Sequence, residues 1–145
     1  MTEVSFAKLV PELKVSDLAA SLKFWCNLLG FAVGYSRPEE GFAFLERNGA
    51  QVMLHQDDLG PRPGALITGD MQRPFGRGIN FDISANDLTP ILEAVAAANW
   101  PIYLGPEERW RRVGSVMLGA REIWLQDPDG YLVRFAQSLG ERPVA

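Results

Sequence analysis

One pattern occurs twice in this chain, once in each half, and it limits the folds available. Near the C-terminus, Trp124-Leu125-Gln126 runs into Asp127-Pro128-Asp129-Gly130 and returns as Tyr131-Leu132-Val133-Arg134-Phe135. Pro128 presets φ and Gly130 tolerates a positive one, so the segment reads as a β-hairpin. Phe44 to Leu54 repeats it more loosely around Asn48-Gly49. A chain built from two copies of one unit presents two sheet faces that need cover.

The flanking segments repeat as well. Residues 6–15 alternate weakly and end as a strand. Ser16-Asp17 then offers a helix N-cap, and Leu18, Leu22, Trp25 and Leu29 fall at helical spacing up to Gly30. Phe31–Ser36, Phe42–Glu46 and Gln51–Gln56 read as strands. In the second half, Gly78–Ser84 is a strand and Asn86-Asp87 caps a helix carrying Leu88, Ile91, Leu92 and Val95. Pro101–Leu104, Arg121–Gln126 and Tyr131–Gln137 are strands; Glu107–Val116 is a strand or a long loop. The Gly- and Pro-rich stretch 57–76 reads as a linker. The expected fold is α+β: a first β-α-β-β-β unit over 1–56, the linker 57–76, and a second such unit over 77–145, forming one intimately packed domain.

Composition narrows the function classes. The 145 residues are 47% hydrophobic and 22% charged, enough for a core without staples. The net charge of −4 argues against nucleic acid, which selects a basic stripe, and suits a cationic ligand. The single cysteine, Cys26, allows no internal disulfide. With no secretory leader pattern and no apolar run of membrane-spanning length, the expected location is the cytoplasm.

Val15-Ser16-Asp17-Leu18, Ser21-Leu22-Lys23-Phe24-Trp25, Leu29-Gly30-Phe31 and Asp127-Pro128-Asp129-Gly130 together resemble the vicinal oxygen chelate superfamily. Glyoxalase I, extradiol dioxygenases and the fosfomycin- and bleomycin-resistance proteins belong to it. Phe24-Trp25 with Leu28-Leu29-Gly30-Phe31, and Gly119-Ala120-Arg121-Glu122, are most similar to the bleomycin-resistance proteins. The superfamily spans many chemistries, so fold alone does not assign one.

The resemblance implies that enzymes of this group hold a divalent metal with four side chains, one from the first and one from the last strand of each unit. Counting from the motifs places these positions at Val10, Met53, Gly78 (or Asn80, counted from Asp87) and Arg134. None is a usual ligand: Val and Gly carry no donor, a thioether is soft, and a guanidinium is a permanent cation. The expectation is therefore no metal, no cofactor and no catalytic residue. The lone histidine, His55, has no second histidine to make a site with, and Cys26 in mid-helix reads as a buried, inert thiol.

The positive signal is aromatic. Trp110 lies between Arg109 and Arg111 in a polar segment and is a candidate stacking surface. Tyr35, Phe42, Phe44 and Trp124 lie on strands around the inferred cavity, with alternation leaving open which of them face it. Glu107 and Glu108 would attract a cation, Met53 and Arg134 would fill the former metal position, and His55 is a further candidate ligand contact. The resemblance implies a metal-free, homodimeric protein that sequesters a bleomycin-like glycopeptide antibiotic, and the acidic charge and aromatic residues suit such a flat, cationic ligand. The alternatives are a metal-dependent lyase or dioxygenase with displaced ligands, and a binder of another aromatic metabolite.

Overall fold

The computed structural model describes residues 4–144. They divide into two compact units, residues 4–75 and 76–144. The first contains β1 (Glu12–Lys14), α1 (Leu18–Leu22), β2 (Ala32–Arg37), β3 (Phe42–Arg47) and β4 (Ala50–His55). The second contains β5 (Asn80–Ser84), α2 (Thr89–Ala97), β6 (Ile102–Val113), β7 (Val116–Gln126) and β8 (Leu132–Pro143). Each unit is β-α-β-β-β, so the repeat expected from sequence is present. The sheets are four-stranded, in the orders β1-β4-β3-β2 and β5-β8-β7-β6. In both, the first and last strands run parallel and the remaining pairs antiparallel.

Alternation assigns the faces of each sheet. In the first unit Leu13, Ala43, Leu45, Val52 and Leu54 are buried together with Phe24, Trp25, Leu28 and Leu29 of the helical segment. Asp17 caps α1, its carboxylate accepting from the Ala19 and Ala20 amides. Past Leu22 the helix widens to a π turn over Lys23–Leu28, with the Leu29 amide donating to the Phe24 carbonyl at 3.0 Å. In the second unit Ile83, Ile123, Leu125, Val133 and Phe135 share the core with Leu88, Ile91 and Val95.

The closing hairpin turn is locked from inside. The Asp127 carboxylate accepts from the Asp129 and Tyr131 amides at 3.0 and 2.9 Å, and Gly130 takes φ +95°. The segment expected as a linker is tied to the first unit: Asp57 is buried, accepts from the Leu66 amide and pairs with Lys14 at 3.1 Å. The first strand is shorter than expected, since only Glu12–Lys14 pairs with β4. Conversely, Glu107–Val113 is strand throughout, so β6, β7 and β8 extend as a three-stranded arm. Among the described residues no helix is long and apolar enough to cross a membrane.

Candidate functional site

The two units share one hydrogen-bond framework, which shows which residues correspond. The Val15 amide donates to the His55 carbonyl and the Ala85 amide to the Ala136 carbonyl. Gln56 accepts from the Leu18 amide at 3.0 Å; Gln137 accepts from the Leu88 amide at 2.8 Å. His55 therefore corresponds to Ala136, Met53 to Arg134, and Glu12 to Asp82. The same offset carries Val10 onto Asn80, the second of the two counts. Cross-strand pairing extends the correspondence, with Phe44 opposite Met53 where Trp124 is opposite Arg134, and Phe42 opposite His55 where Glu122 is opposite Ala136.

The face of the first sheet away from its helix is aromatic. Tyr35 stacks on Phe44 at 5.2 Å and leans on Phe42 at 5.7 Å, and His55 meets Phe42 edge-on at 5.8 Å. Phe42 and Phe44 are buried. Phe6 lies edge-on against Phe44 at 5.2 Å, and Arg37 covers the Phe42 ring at 4.2 Å. The Gln51 amide group anchors the segment carrying Phe6, donating to the Ser5 carbonyl and accepting from the Ala7 amide at 2.7 Å. Met53 is half-buried, and His55 Nε2 is buried without a hydrogen-bond partner. Burial pushes the Cys26 thiol pKa up, away from reactivity.

The corresponding face of the second sheet is charged. Arg111 reaches from β6 to clamp Glu122 with two hydrogen bonds, 2.5 and 3.0 Å. Arg134 lies 3.5 Å from the same carboxylate, pairs with Asp82 at 3.0 Å, and sits over the Trp124 ring at 4.8 Å. The Glu122 side chain is 1% exposed. The Arg111 hydrogen bonds, opposed by desolvation, hold its carboxyl below the usual range, and Arg134 adds to the effect. The Arg111 guanidinium is pushed up by the same contacts, with smaller contributions from Asp82 and Glu107. Beside this cluster a groove of about 440 Å³ is lined by Arg111, Val113, Leu118, Ala120, Ala136 and Ser84, among others.

Sequence reasoning thus singled out residues that the fold distributes over several surfaces. Tyr35, Phe42, Phe44, Met53 and His55 gather on the open face of the first sheet; Trp124 and Arg134 lie on that of the second. Glu107, opposite Glu122, belongs to the same face and pairs with Arg109 at 3.4 Å. Trp110 and Glu108 alternate onto the other side of the arm. There the Trp110 indole donates to Glu108 at 2.7 Å and packs on Gly119, where a Cβ would fall 2.6 Å from ring atoms. The Arg142 guanidinium sits 4.0 Å from its centroid.

Arg111, Glu122 and Asp82 escaped sequence reasoning. The signal was parity: Glu122 and Trp124 alternate with the buried Ile123 and Leu125, so both must share the open face with Arg134.

At the counted positions Val10 has no donor, Asn80 offers one neutral amide oxygen, Met53 a thioether and Arg134 a cation. Next to Met53 stands only the exposed Glu12, and next to Arg134 stands Asp82, whose carboxylate is engaged by that guanidinium. Among the described residues no three His, Cys, Asp or Glu side chains converge on a metal site.

Paired β-α-β-β-β units with open sheet faces define a class of small α+β proteins. Residues 8–135 match the model of the Glyoxalase/Bleomycin resistance protein/Dioxygenase superfamily, and the chain belongs to that family. Its fold is similar to that of TioX from Micromonospora sp. ML1 (19% identity, 92% of this chain and 100% of that one, TM-score 0.64). It is also similar to virulence protein STM3117 from Salmonella typhimurium (20% identity, 93% and 98%, TM-score 0.63). A third similar structure is lactoylglutathione lyase from Agrobacterium tumefaciens (18% identity, 93% and 96%, TM-score 0.56). No curated protein matches the chain by sequence.

Proposed function

We propose that this protein is a metal-free small-molecule binding protein of the bleomycin-resistance type. It holds a flat aromatic ligand stoichiometrically and performs no chemistry on it. Arg134 carries this reading. A guanidinium occupies a position where the family's enzymes place a metal ligand, and it is held there by Glu122 and Asp82. A fixed cation repels a divalent metal and removes the Lewis acid on which the enzyme chemistry depends. The family description includes resistance proteins as well as enzymes, which supports a binder as much as a catalyst.

The ligand class is a flat, cationic, bleomycin-like antibiotic, taken up by a homodimer. The half-buried Trp124 ring offers a flat surface on the open face of the second sheet, and the overall charge of −4 favours a cation. Exposed Val113, Leu118 and Leu139 on the arm support a partner chain.

Titrating bleomycin while following tryptophan fluorescence tests the ligand, with Trp124→Phe and Trp110→Ala alongside. Saturable quenching at micromolar drug, unchanged after chelation and weakened by Trp124→Phe, is the expected result. Light scattering tests the dimer. A stoichiometric transition metal, with a turnover activity lost on stripping, would overturn the binder reading in favour of a lyase or dioxygenase. Absence of quenching would remove the drug and leave a binder of another aromatic metabolite.

A further inference from the structure

The groove on the second unit has a charge logic that neither net charge nor the acidic pair Glu107-Glu108 conveys. Its floor is apolar, made by Leu118, Ala120 and Ala136, with Val113 at one side. At about 440 Å³ it falls within the range of small-molecule sites. Its polar side chains are Arg111, Ser84, Ser138 and Glu141: one fixed cation, two hydroxyls and one carboxylate. Glu122 is fully buried and spent on two guanidiniums, so it presents nothing to a ligand. Arg111 is different: its side chain is 37% exposed, and two of its five N–H groups are committed to Glu122. The bidentate clamp fixes the guanidinium before any ligand arrives, which lowers the ordering cost of using its remaining donors.

Two more donors on this face lack acceptors. Arg134 Nε is buried with no hydrogen-bond partner. Trp124 Nε1 lies close enough to Glu122 to help lower its pKa, yet makes no bond of good geometry. Both atoms are buried and neither residue lines the groove, so they add to the donor character of the face without themselves contacting a ligand held there. The opposing charges are Glu141 and Asp82. Glu141 lines the groove as well, but it is exposed and stands two strands from Arg111 in the row through Leu118, where water screens it. Asp82 is half-exposed and engaged by Arg134. Glu107 is engaged by Arg109.

We propose that this groove takes an apolar-bodied ligand through an oxyanion, a carboxylate or phosphate, seated on Arg111 with the body along Leu118, Ala120 and Ala136. This deepens the reading of a metal-free binder and rests on it. It assigns the ligand an anionic group where overall charge suggests a cationic one.

Three probes sharing the naphthalene ring system decide the matter: 2-naphthoate, 2-naphthylmethylamine and 2-naphthylmethanol, titrated by calorimetry and by indole N–H resonances. The expected result is saturable binding of naphthoate, about tenfold or more tighter than the amine, with a shift of the Trp124 indole N–H. Arg111→Gln should abolish that preference. Because it strands the buried Glu122 and can unfold the protein, Ala120→Leu serves as the second variant. It fills the groove, leaves the ion pair intact, and should abolish naphthoate binding. Equal or tighter binding of the amine would assign control to Glu141 and overturn the proposal. So would naphthoate binding that survives Ala120→Leu, or no naphthoate binding at all. Bleomycin failing while naphthoate binds would remove the antibiotic and leave this inference standing.

Discussion

The two open sheet faces are built on the same register, and they differ at almost every corresponding position. Where the first has Phe42, the second has Glu122; where the first has Met53, the second has Arg134. Phe44 and Trp124 are both aromatic, but the first packs under Phe6 and Tyr35, the second under a guanidinium. The first face is closed by its own N-terminal segment. The second keeps its buried charge neutral through Arg111 and presents a groove. One topology therefore supports an apolar face and an ionic one, because alternation fixes where a side chain points and leaves its chemistry free.

This contrast predicts how each face fails. Phe44→Ala should cost most, about 3–4 kcal/mol, as for a large ring removed from a packed core. Urea unfolding should show that loss unchanged by salt and by pH near neutrality; a loss below about 1 kcal/mol would mean the aromatic face is loosely packed. Arg111→Gln should cost nearly as much, about 3 kcal/mol at neutral pH, by leaving the Glu122 carboxylate buried with only the longer Arg134 contact. Adding Glu122→Gln should restore part of it, and strict additivity in that cycle would refute a coupled pair.

The ionic face should also respond to acid. Glu122 titrates lower in the folded protein than its ordinary value of 4.5. Its stabilising contribution is therefore complete above that value and disappears as pH falls through the lower, folded value. Glu122→Gln should flatten the acid limb of the stability profile, whereas Phe44→Ala should shift the whole curve down.

Smaller effects finish the series. Phe6 is 62% exposed, so Phe6→Ala should cost about 1 kcal/mol, mainly from its ring contacts. Arg109→Ala, which breaks a half-exposed pair with Glu107, should stay within about 0.5 kcal/mol of the parent.

Much of this was legible in the chain. The turn at Asp127–Gly130, the helix cap at Asp17 and the apolar spacing of Leu18, Leu22 and Trp25 are local signals, and local physics forms those elements. The strand over Glu107–Val113 was harder, because Glu-Glu-Arg-Trp-Arg-Arg has no alternation of apolar with polar residues. It is held by pairing with β7, a long-range contact. The stretch 57–76 reads as a linker from its composition and length, and the pairing of its first residue, Asp57, with Lys14 spans forty-three residues and so leaves no local signal.

By itself, the sequence determined the repeated unit, the α+β class and the lack of metal-ligand side chains at the counted positions, since each follows from residue identity and short-range spacing. Only the tertiary structure decided which side of each sheet a residue occupies. It placed Trp110 with Glu108 and Arg142 on one side of the arm and brought Arg111, Glu122, Arg134 and Asp82 together on the other. Those four residues come from four different strands, and their charges meet only once register has aligned them.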